Sequence, residues 1–318
     1  MSSAQAKIFN TTRRISSVSL SVVVGISLIF KSFIQDSNIS WQVIIALIAL
    51  AVGIPHGALD HLVTLPRASF IKMALFIAIY VVIAIVAVWA ILEWNVLGFI
   101  GVVAMSALHF GIGDAAFIAE QNRAQGLKSV PRWSQILYAL SAGSLPVVIP
   151  LTNSQSTNAL STVNKELVNW HGGWDKELFL CVISLSIFSF FVLLSARRHR
   201  DAVDLAILGA LALIAPPLVA FAAYFGMWHA MRHTARLTLN LKSSQMSIAE
   251  NRAGKAFRQA VLPGIPALAG TFIASLLIGI RSPGKLSDEY LWLSLVVVWA
   301  LTVPHMMVTA KLDKAALR

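Results

Sequence analysis

Histidine stands out among the residues that interrupt the long apolar segments of this sequence. Six of its eight histidines lie inside such segments, namely His56, His61, His109, His229, His233 and His305. An ionisable side chain in a segment long enough to cross a membrane is costly, so each of the six is a candidate functional residue. The other two, His171 and His199, lie in polar connections, and we interpret them as solvated loop residues.

Spacing indicates that several of these histidines form one site. His229 and His233 are four residues apart, which places both rings on one helix face, as two ligands of one metal ion require. At 1.5 Å per residue, five histidines lie roughly 18–24 Å from the outer ends of their predicted spans, namely His56, His109, His229, His233 and His305. The sequence therefore predicts a buried metal site built from four spans. Imidazole alone leaves zinc, copper, iron and nickel open.

His61 and His305 are less certain members of this set. His61 lies more than a turn deeper than His56 and about 140° around the helix from it, so we expect it to face elsewhere. Three interpretations of His305 stay open. It is an additional ligand, a group that supports the ligands, or a packing residue held by the kink that Pro304 introduces.

Two aspartates accompany the histidines. Asp60 follows His56 by four residues, on the same face of a continuous helix, and Asp114 follows His109 by five. A carboxylate in lipid needs a partner. Direct ligation of the metal is one interpretation. We favour the other, in which each accepts the free ring N–H of a ligating histidine and thereby fixes its tautomer, with Asp60 the stronger candidate. For Asp114, a pairing with a cytoplasmic lysine or arginine is equally open.

The surroundings of these residues are apolar and closely packed. Aromatic and sulfur side chains flank the histidines, among them Phe110, Tyr224, Phe225, Met227 and Trp228. Ordinary packing explains most such residues, but a site here would have apolar walls. Glycines beside the histidines permit close helix approach, at Gly53, Gly57, Gly111, Gly113 and Gly226. Pro55 and Pro304 are expected to kink two spans at the depth of the site.

Composition sets the environment in which these residues must be positioned. The chain has 318 residues, of which 57% are hydrophobic and 12% charged, whereas soluble domains are about 25% charged. A bilayer core of ~30 Å needs about 20 apolar residues per helical span, and lipid forces the backbone to pair internally. We therefore predict an all-α, polytopic transmembrane helix bundle, with residues 1–318 as one integral membrane domain. The lone cysteine, Cys181, excludes a disulfide framework.

Ten candidate spans are predicted, with eight to ten as the range. They are Ile15–Ile34, Trp41–Leu65, Phe70–Glu93, Asn95–Ile118, Trp133–Leu151, Glu177–Ala196, Val203–Ala215, Pro217–Leu239, Ala260–Ile280 and Tyr290–Lys311. The seventh is short, and Pro216-Pro217 either ends it or kinks a longer helix. Ten spans with a cytoplasmic N-terminus place most of the 25 Lys and Arg residues in the cytoplasm, as the positive-inside rule expects.

The net charge of +11 is therefore explained by topology and by anionic lipid headgroups, and nucleic acid is not an expected partner. The expected location is the cell (inner) membrane, which the chain crosses many times.

Three sequence motifs resemble those of a known family. They are Gly53–His61 (GIPHGALDH), Ala107–Asp114 (ALHFGIGD) and Tyr224–His233 (YFGMWHAMRH). In this order they resemble the Brp/Blh family of bacterial and archaeal membrane-bound beta-carotene 15,15′-dioxygenases, over most of the chain. The combination of P-H-G-x-x-D-H with H-x-x-x-H is fairly specific.

The resemblance implies a non-haem Fe(II) enzyme that cleaves the central double bond of beta-carotene with O₂ to give two retinal molecules. Matched position by position, the family's iron ligands correspond to His56, His109, His229 and His233. The retinal would supply a microbial rhodopsin. We further expect the carotenoid to enter from the bilayer through an apolar tunnel, whose candidate lining residues are Phe110, Tyr224, Phe225, Met227 and Trp228.

Three other functions would also place histidines in membrane spans. A membrane hydroxylase or desaturase with two irons uses repeated histidine boxes, whereas this chain has a single H-x-x-x-H. A transporter or proton relay would move ions and bind no iron tightly. A bis-histidine haem protein would show a Soret band.

Overall fold

The computed structural model describes residues 3–30, 40–65, 69–266, 269 and 288–318, and the regular secondary structure in these ranges is helical. The α-helices are α1 Ser3–Phe30, α2 Ser40–Gly57, α3 Asp60–Thr64, α4 Phe70–Glu93, α5 Asn95–Ala124, α6 Arg132–Leu151, α7 Ser154–Val163, α8 Asp175–Ser195, α9 His199–Ile214, α10 Pro217–Ala223, α11 Ala230–Leu237, α12 Lys242–Ala249, α13 Ala253–Val261 and α14 Asp288–Ala316. A π-helical turn covers Tyr224–His229, and 3₁₀ turns cover Lys165–Asn169 and Leu262–Gly264.

Six helices among the described residues are long and apolar enough to cross a membrane. They are Ser3–Phe30, Phe70–Glu93, Asn95–Ala124, Arg132–Leu151, Asp175–Ser195 and Leu295–Ala316. The all-helical membrane architecture expected from composition is therefore confirmed. The count of ten spans stays a prediction. The second, seventh and eighth are not among these six helices, and most of the ninth, Ala260–Ile280, lies outside the described residues.

The second predicted span is wrong as a continuous helix over Trp41–Leu65. The observed helix α2 ends at Gly57, a turn covers residues 58–59, and α3 begins at Asp60. Proline lacks a backbone donor and glycine is a weak helix former, so Pro55 and Gly57 account for the break. As a result, Asp60 does not continue the helical face of His56. The first span also differs, since α1 begins at Ser3 rather than at Ile15.

Spans seven and eight are two separate helices. Helix α9 ends at Ile214, and Ala215 is extended, with φ −75° and ψ 148°. A residue before proline is disfavoured from the helical region, and two prolines follow here. The second of them, Pro217, is the first residue of α10, a position that proline tolerates. The residues of the predicted span Pro217–Leu239 form α10, the π-helical turn and α11, which ends at Leu237.

The main core lies between α1, α5, α6, α8 and α9, with large apolar side chains such as Phe117, Leu145, Leu193 and Leu208 almost fully buried. By contrast, much of α4 is exposed, including Ile79, Val82 and Ile85. A helix with apolar residues on its exposed faces is suited to contact with lipid rather than with water.

Glycine sets the distance between α5 and α6. A Cβ atom built on Gly111 would collide with the backbone oxygen of Ala139, and one built on Gly143 would collide with that of Ala107. A Cβ atom on Gly53 would likewise collide with the ring of Phe225. The predicted close approach at Gly53 and Gly111 is therefore present, and it brings α5 and the π-helical turn towards their neighbours.

Candidate metal centre

Four imidazoles from separate elements lie together inside the bundle. His109 comes from α5, His229 from the π-helical turn, His233 from α11 and His305 from α14. Ring centroids are 5.0 Å apart for His109–His229, 6.1 Å for His229–His233, 5.6 Å for His233–His305 and 5.2 Å for His305–His109. These contacts close a circuit, which we call the imidazole circuit. All four residues are buried, between 2% and 6% exposed.

The spacing of these rings is close to that of shared metal ligation. With a metal–nitrogen distance of about 2.0–2.1 Å, two imidazoles on one ion have centroids about 4.5 Å apart at a right angle and about 5.2 Å apart at a tetrahedral angle. The two shorter separations between ring centroids, 5.0 Å and 5.2 Å, fall within this range, and the two longer ones, 5.6 Å and 6.1 Å, exceed it. As they stand, no three His, Cys, Asp or Glu side chains in the described ranges are close enough to hold one ion. The donor chemistry and burial fit a metal, but the rings would have to move closer together for three of them to reach one ion.

The remaining histidines take different positions. The backbone of His56 lies in the last turn of α2, but its side chain is outside the described residues. His61 lies in the short helix α3 and is partly buried. His199 is exposed at the start of α9. His171 is partly buried beside Asp175, with 3.9 Å between its Nδ1 and Asp175 Oδ1.

The two aspartates have different partners. Asp60 contacts Nδ1 of His305, at 3.0 Å from Oδ1 and 2.9 Å from Oδ2, and accepts a hydrogen bond of 3.1 Å from the hydroxyl of Tyr80. Asp114 accepts hydrogen bonds from the indole N–H of Trp228 at 2.8 Å and from the hydroxyl of Tyr224 at 3.3 Å. One carboxylate thus meets the imidazole circuit directly, while the other holds the aromatic residues next to it.

A π-helical turn carries His229 into the circuit. Residues Tyr224–His229 form one wider turn between α10 and α11. Such turns are rare and occur frequently at functional sites. The extra residue in the turn shifts the side chains that follow. Here the turn presents Tyr224 and Trp228 to Asp114 while His229 lies against His109.

Aromatic rings form one wall of the circuit. The ring of Phe110 lies 4.5 Å from that of His229 and 5.2 Å from that of Tyr224. Phe225 stacks on His229 at 6.1 Å. Met227 is 44% exposed, so it lies at the surface of the bundle. Trp228 is fully buried, and the guanidinium of Arg232 lies 3.3 Å from its ring centroid.

A helical membrane bundle with clustered imidazoles is the arrangement that the sequence resemblance implies. The sequence model of the family described as beta-carotene 15,15′-dioxygenase matches residues 47–313 of this chain. The chain belongs to this family. The matched range includes all four residues of the imidazole circuit.

Two relatives with this activity in their names are similar to most of the chain. One is the probable beta-carotene 15,15′-dioxygenase Blh of Halobacterium salinarum, with 27% identity over 84% of this chain and 82% of its own. The other is the beta-carotene 15,15′-dioxygenase of an uncultured marine bacterium, with 28% identity over 80% of this chain and 88% of its own. No solved structure matches the chain.

The sequence did not predict a network of buried ion pairs that lies next to the imidazole circuit. Arg232 is 1% exposed and lies 2.9 Å from Asp204 and 4.0 Å from Asp114. Arg13 lies 2.6 Å from Asp201 and 3.0 Å from Asp204. Both arginines thus pair with carboxylates inside the bundle. The available signal was an arginine directly before His233 inside a span, where a charge requires a partner.

Proposed function

We propose that this protein cleaves the central 15,15′ double bond of beta-carotene with O₂ and releases two molecules of retinal. The observation that carries this proposal is the buried imidazole circuit, lined by aromatic rings, in a membrane-embedded chain whose family match extends over residues 47–313. Both oxygen atoms end in the products, so the reaction needs no reducing partner.

The proposed metal is Fe²⁺, and its proposed ligands are His56, His109, His229 and His233. Neutral imidazole is a suitable donor for iron, and the described members of this set are buried, which keeps water from the site. When bound, ferrous iron supplies the O₂ chemistry that the apolar side chains of this chain lack. The protein's own part is to hold these imidazoles, keep them neutral and present an apolar surface to the polyene.

The substrate is expected to reach the site from the lipid. Beta-carotene is a long hydrocarbon that dissolves in the bilayer, and the proposed tunnel wall consists of Phe110, Tyr224, Phe225, Met227 and Trp228. Aromatic faces favour positive charge that develops on the polyene during cleavage. Asp114 accepts a hydrogen bond from Trp228 and another from Tyr224, and these two bonds restrict the motion of both rings.

This proposal includes a single membrane domain of about ten spans with a cytoplasmic N-terminus, located in the cell (inner) membrane. The retinal formed would be passed to a microbial rhodopsin. Both products are lipid-soluble aldehydes, so transfer within the bilayer requires no soluble carrier.

The test is retinal formation in bacteria engineered to make beta-carotene. We expect cells that express the wild-type chain to lose their orange colour and to yield retinal on extraction. His229→Ala should reduce retinal at least a hundredfold and remove bound iron, because it deletes a proposed ligand. The matched control is His199→Ala, which removes an exposed histidine and should leave both measurements unchanged.

Other outcomes would contradict the proposal in distinct ways. A folded wild-type protein that holds iron and forms no cleavage product would exclude carotenoid cleavage. Two irons per chain would favour the hydroxylase or desaturase. A Soret band would indicate haem, and ion flux in vesicles without tightly bound iron would indicate a transporter.

A further inference from the structure

The two ring nitrogens of His305 are chemically distinct. Nδ1 lies 3.0 Å from Oδ1 and 2.9 Å from Oδ2 of Asp60, so one ring nitrogen meets both oxygens of one carboxylate. An ionised carboxylate only accepts hydrogen bonds, so it pairs with the tautomer of His305 whose proton lies on Nδ1. In the neutral ring, Nε2 then holds the lone pair, which is the form of histidine that binds metal ions.

Asp60 is itself held in place. It is 4% exposed and accepts a hydrogen bond of 3.1 Å from the hydroxyl of Tyr80. Tyr80 lies on α4, Asp60 at the start of α3 and His305 on α14, and α4 packs along α14. Three elements therefore fix the orientation of a single imidazole, an arrangement typical of metal-ligating histidines.

The break between α2 and α3 also serves this imidazole. Gly57, the last residue of α2, lies so close that a Cβ atom there would be 3.5 Å from Nδ1 of His305. Three residues later, Asp60 reaches the same nitrogen. A helix continuing through this point would have kept Asp60 on the face of His56, so the turn directs the carboxylate to α14 instead.

The ring of His305 completes the imidazole circuit. Its centroid lies 5.2 Å from that of His109 and 5.6 Å from that of His233. These separations are similar to the 5.0 Å between His109 and His229, both of which are proposed ligands. A role in packing alone would not require a polar ring here. It would explain neither the two neighbouring imidazoles nor the hydrogen bond to a carboxylate.

From these contacts we infer that His305 is an additional metal ligand of this site, and that Asp60 and Tyr80 are the residues that position it. The inference rests on the proposed function and extends it, because the family resemblance implies four histidine ligands without His305. It also supplies charge. Neutral imidazoles leave a divalent cation uncompensated in lipid, and Asp60 offers one negative charge through the ligand it orients.

Metal affinity tests this inference independently of activity. Purified wild type and the variants His305→Ala, Asp60→Asn and Tyr80→Phe would be loaded with Fe²⁺ without oxygen and titrated with a competing chelator. We expect Asp60→Asn to weaken iron binding about 10–100-fold, and His305→Ala to weaken it at least as much. Tyr80→Phe should act in the same direction by a smaller factor, and His199→Ala should have no effect.

Ligand counting separates coordination from folding. X-ray absorption at the iron edge should show one imidazole fewer in His305→Ala than in wild type, and added imidazole should restore part of its iron affinity. Should His305→Ala fail to fold, Asp60→Asn decides, because it preserves the volume of the side chain while it removes the charge and alters the hydrogen bonds with His305 and Tyr80.

Wild-type iron affinity together with an unchanged imidazole count in His305→Ala would overturn the inference. Failure of the proposed function is recognised separately. A wild type that binds iron through His305 but forms no retinal would refute carotene cleavage and leave this ligand in place. If the wild type forms retinal and His305→Ala keeps the wild-type iron affinity and imidazole count, His305 is not a ligand and the proposed function stands.

Discussion

At the scale of single residues, the most consequential feature is that charges buried inside this bundle have specific partners. Arg232 lies between Asp204 and Asp114, at 2.9 Å and 4.0 Å, with Trp228 under its guanidinium. Arg236 similarly contacts Glu120 at 2.9 Å and Asp313 at 2.7 Å. A buried ion pair adds little stability over an apolar replacement, but the loss of one partner leaves the other charge buried and uncompensated.

Arg232→Ala is therefore expected to destabilise the protein by about 3–5 kcal/mol, because it leaves Asp204 and Asp114 buried without this cation. Thermal unfolding of the purified protein in detergent measures the effect. The matched control is Arg252→Ala, since the side chain of Arg252 is 63% exposed in its pair with Glu250, and such pairs contribute at most about 1 kcal/mol. Equal melting temperatures for the two variants would mean that Arg232 does not hold the network together.

At the scale of secondary-structure elements, the site depends on how closely α5 approaches α6. The pair is in contact through glycine on both sides, Gly111 against Ala139 and Gly143 against Ala107. His109 and Asp114 lie on the same helix as Gly111, so a change in the α5–α6 distance moves both residues. Because lipid gives helices no hydrophobic reason to associate, small residues that allow backbone contact are what hold such pairs together.

Gly111→Ala is expected to separate α5 from α6, because the added methyl group would meet the backbone oxygen of Ala139. The cost should be about 1–3 kcal/mol, the range for overpacked sites, with a loss of retinal formation greater than the loss of protein. The control is Gly101→Ala on the same helix, where nothing lies within 4 Å of the added atom. Retinal yield per folded protein, measured for both variants, checks the prediction, which fails if Gly111→Ala matches its control.

At the scale of the whole molecule, membrane topology decides which face of the site meets the cytoplasm. Helices α5 and α14 carry His109 and His305, and both are long enough to cross the bilayer. A site between such helices fits the proposed entry of a substrate from lipid.

Ten spans with a cytoplasmic N-terminus predict a specific pattern of reporter activity. A fluorescent-protein fusion after Leu127 or at Arg318 should fluoresce, because both points would be cytoplasmic. An alkaline phosphatase fusion after Lys165 should be active, because this point would lie outside. An active phosphatase at Arg318 would instead require an odd number of spans.

The sequence by itself determined that this protein is embedded in lipid and which of its residues are available for chemistry. Apolar segments of about 20 residues force helices in lipid, and the motifs around His56, His109 and His229 were sufficient for the family. These are local properties, which depend on residue type and on spacing along one helix.

Only the tertiary structure decided which side chains meet. The spacing of Asp60 predicted a place on the helical face of His56, whereas the structure shows its carboxylate against His305, on a helix more than 200 residues away in sequence. Nothing in the sequence likewise identified Asp204 and Asp114 as the partners of Arg232. Pairings of this kind depend on how helices distant in sequence pack, and helical periodicity within one segment carries no information about its neighbours.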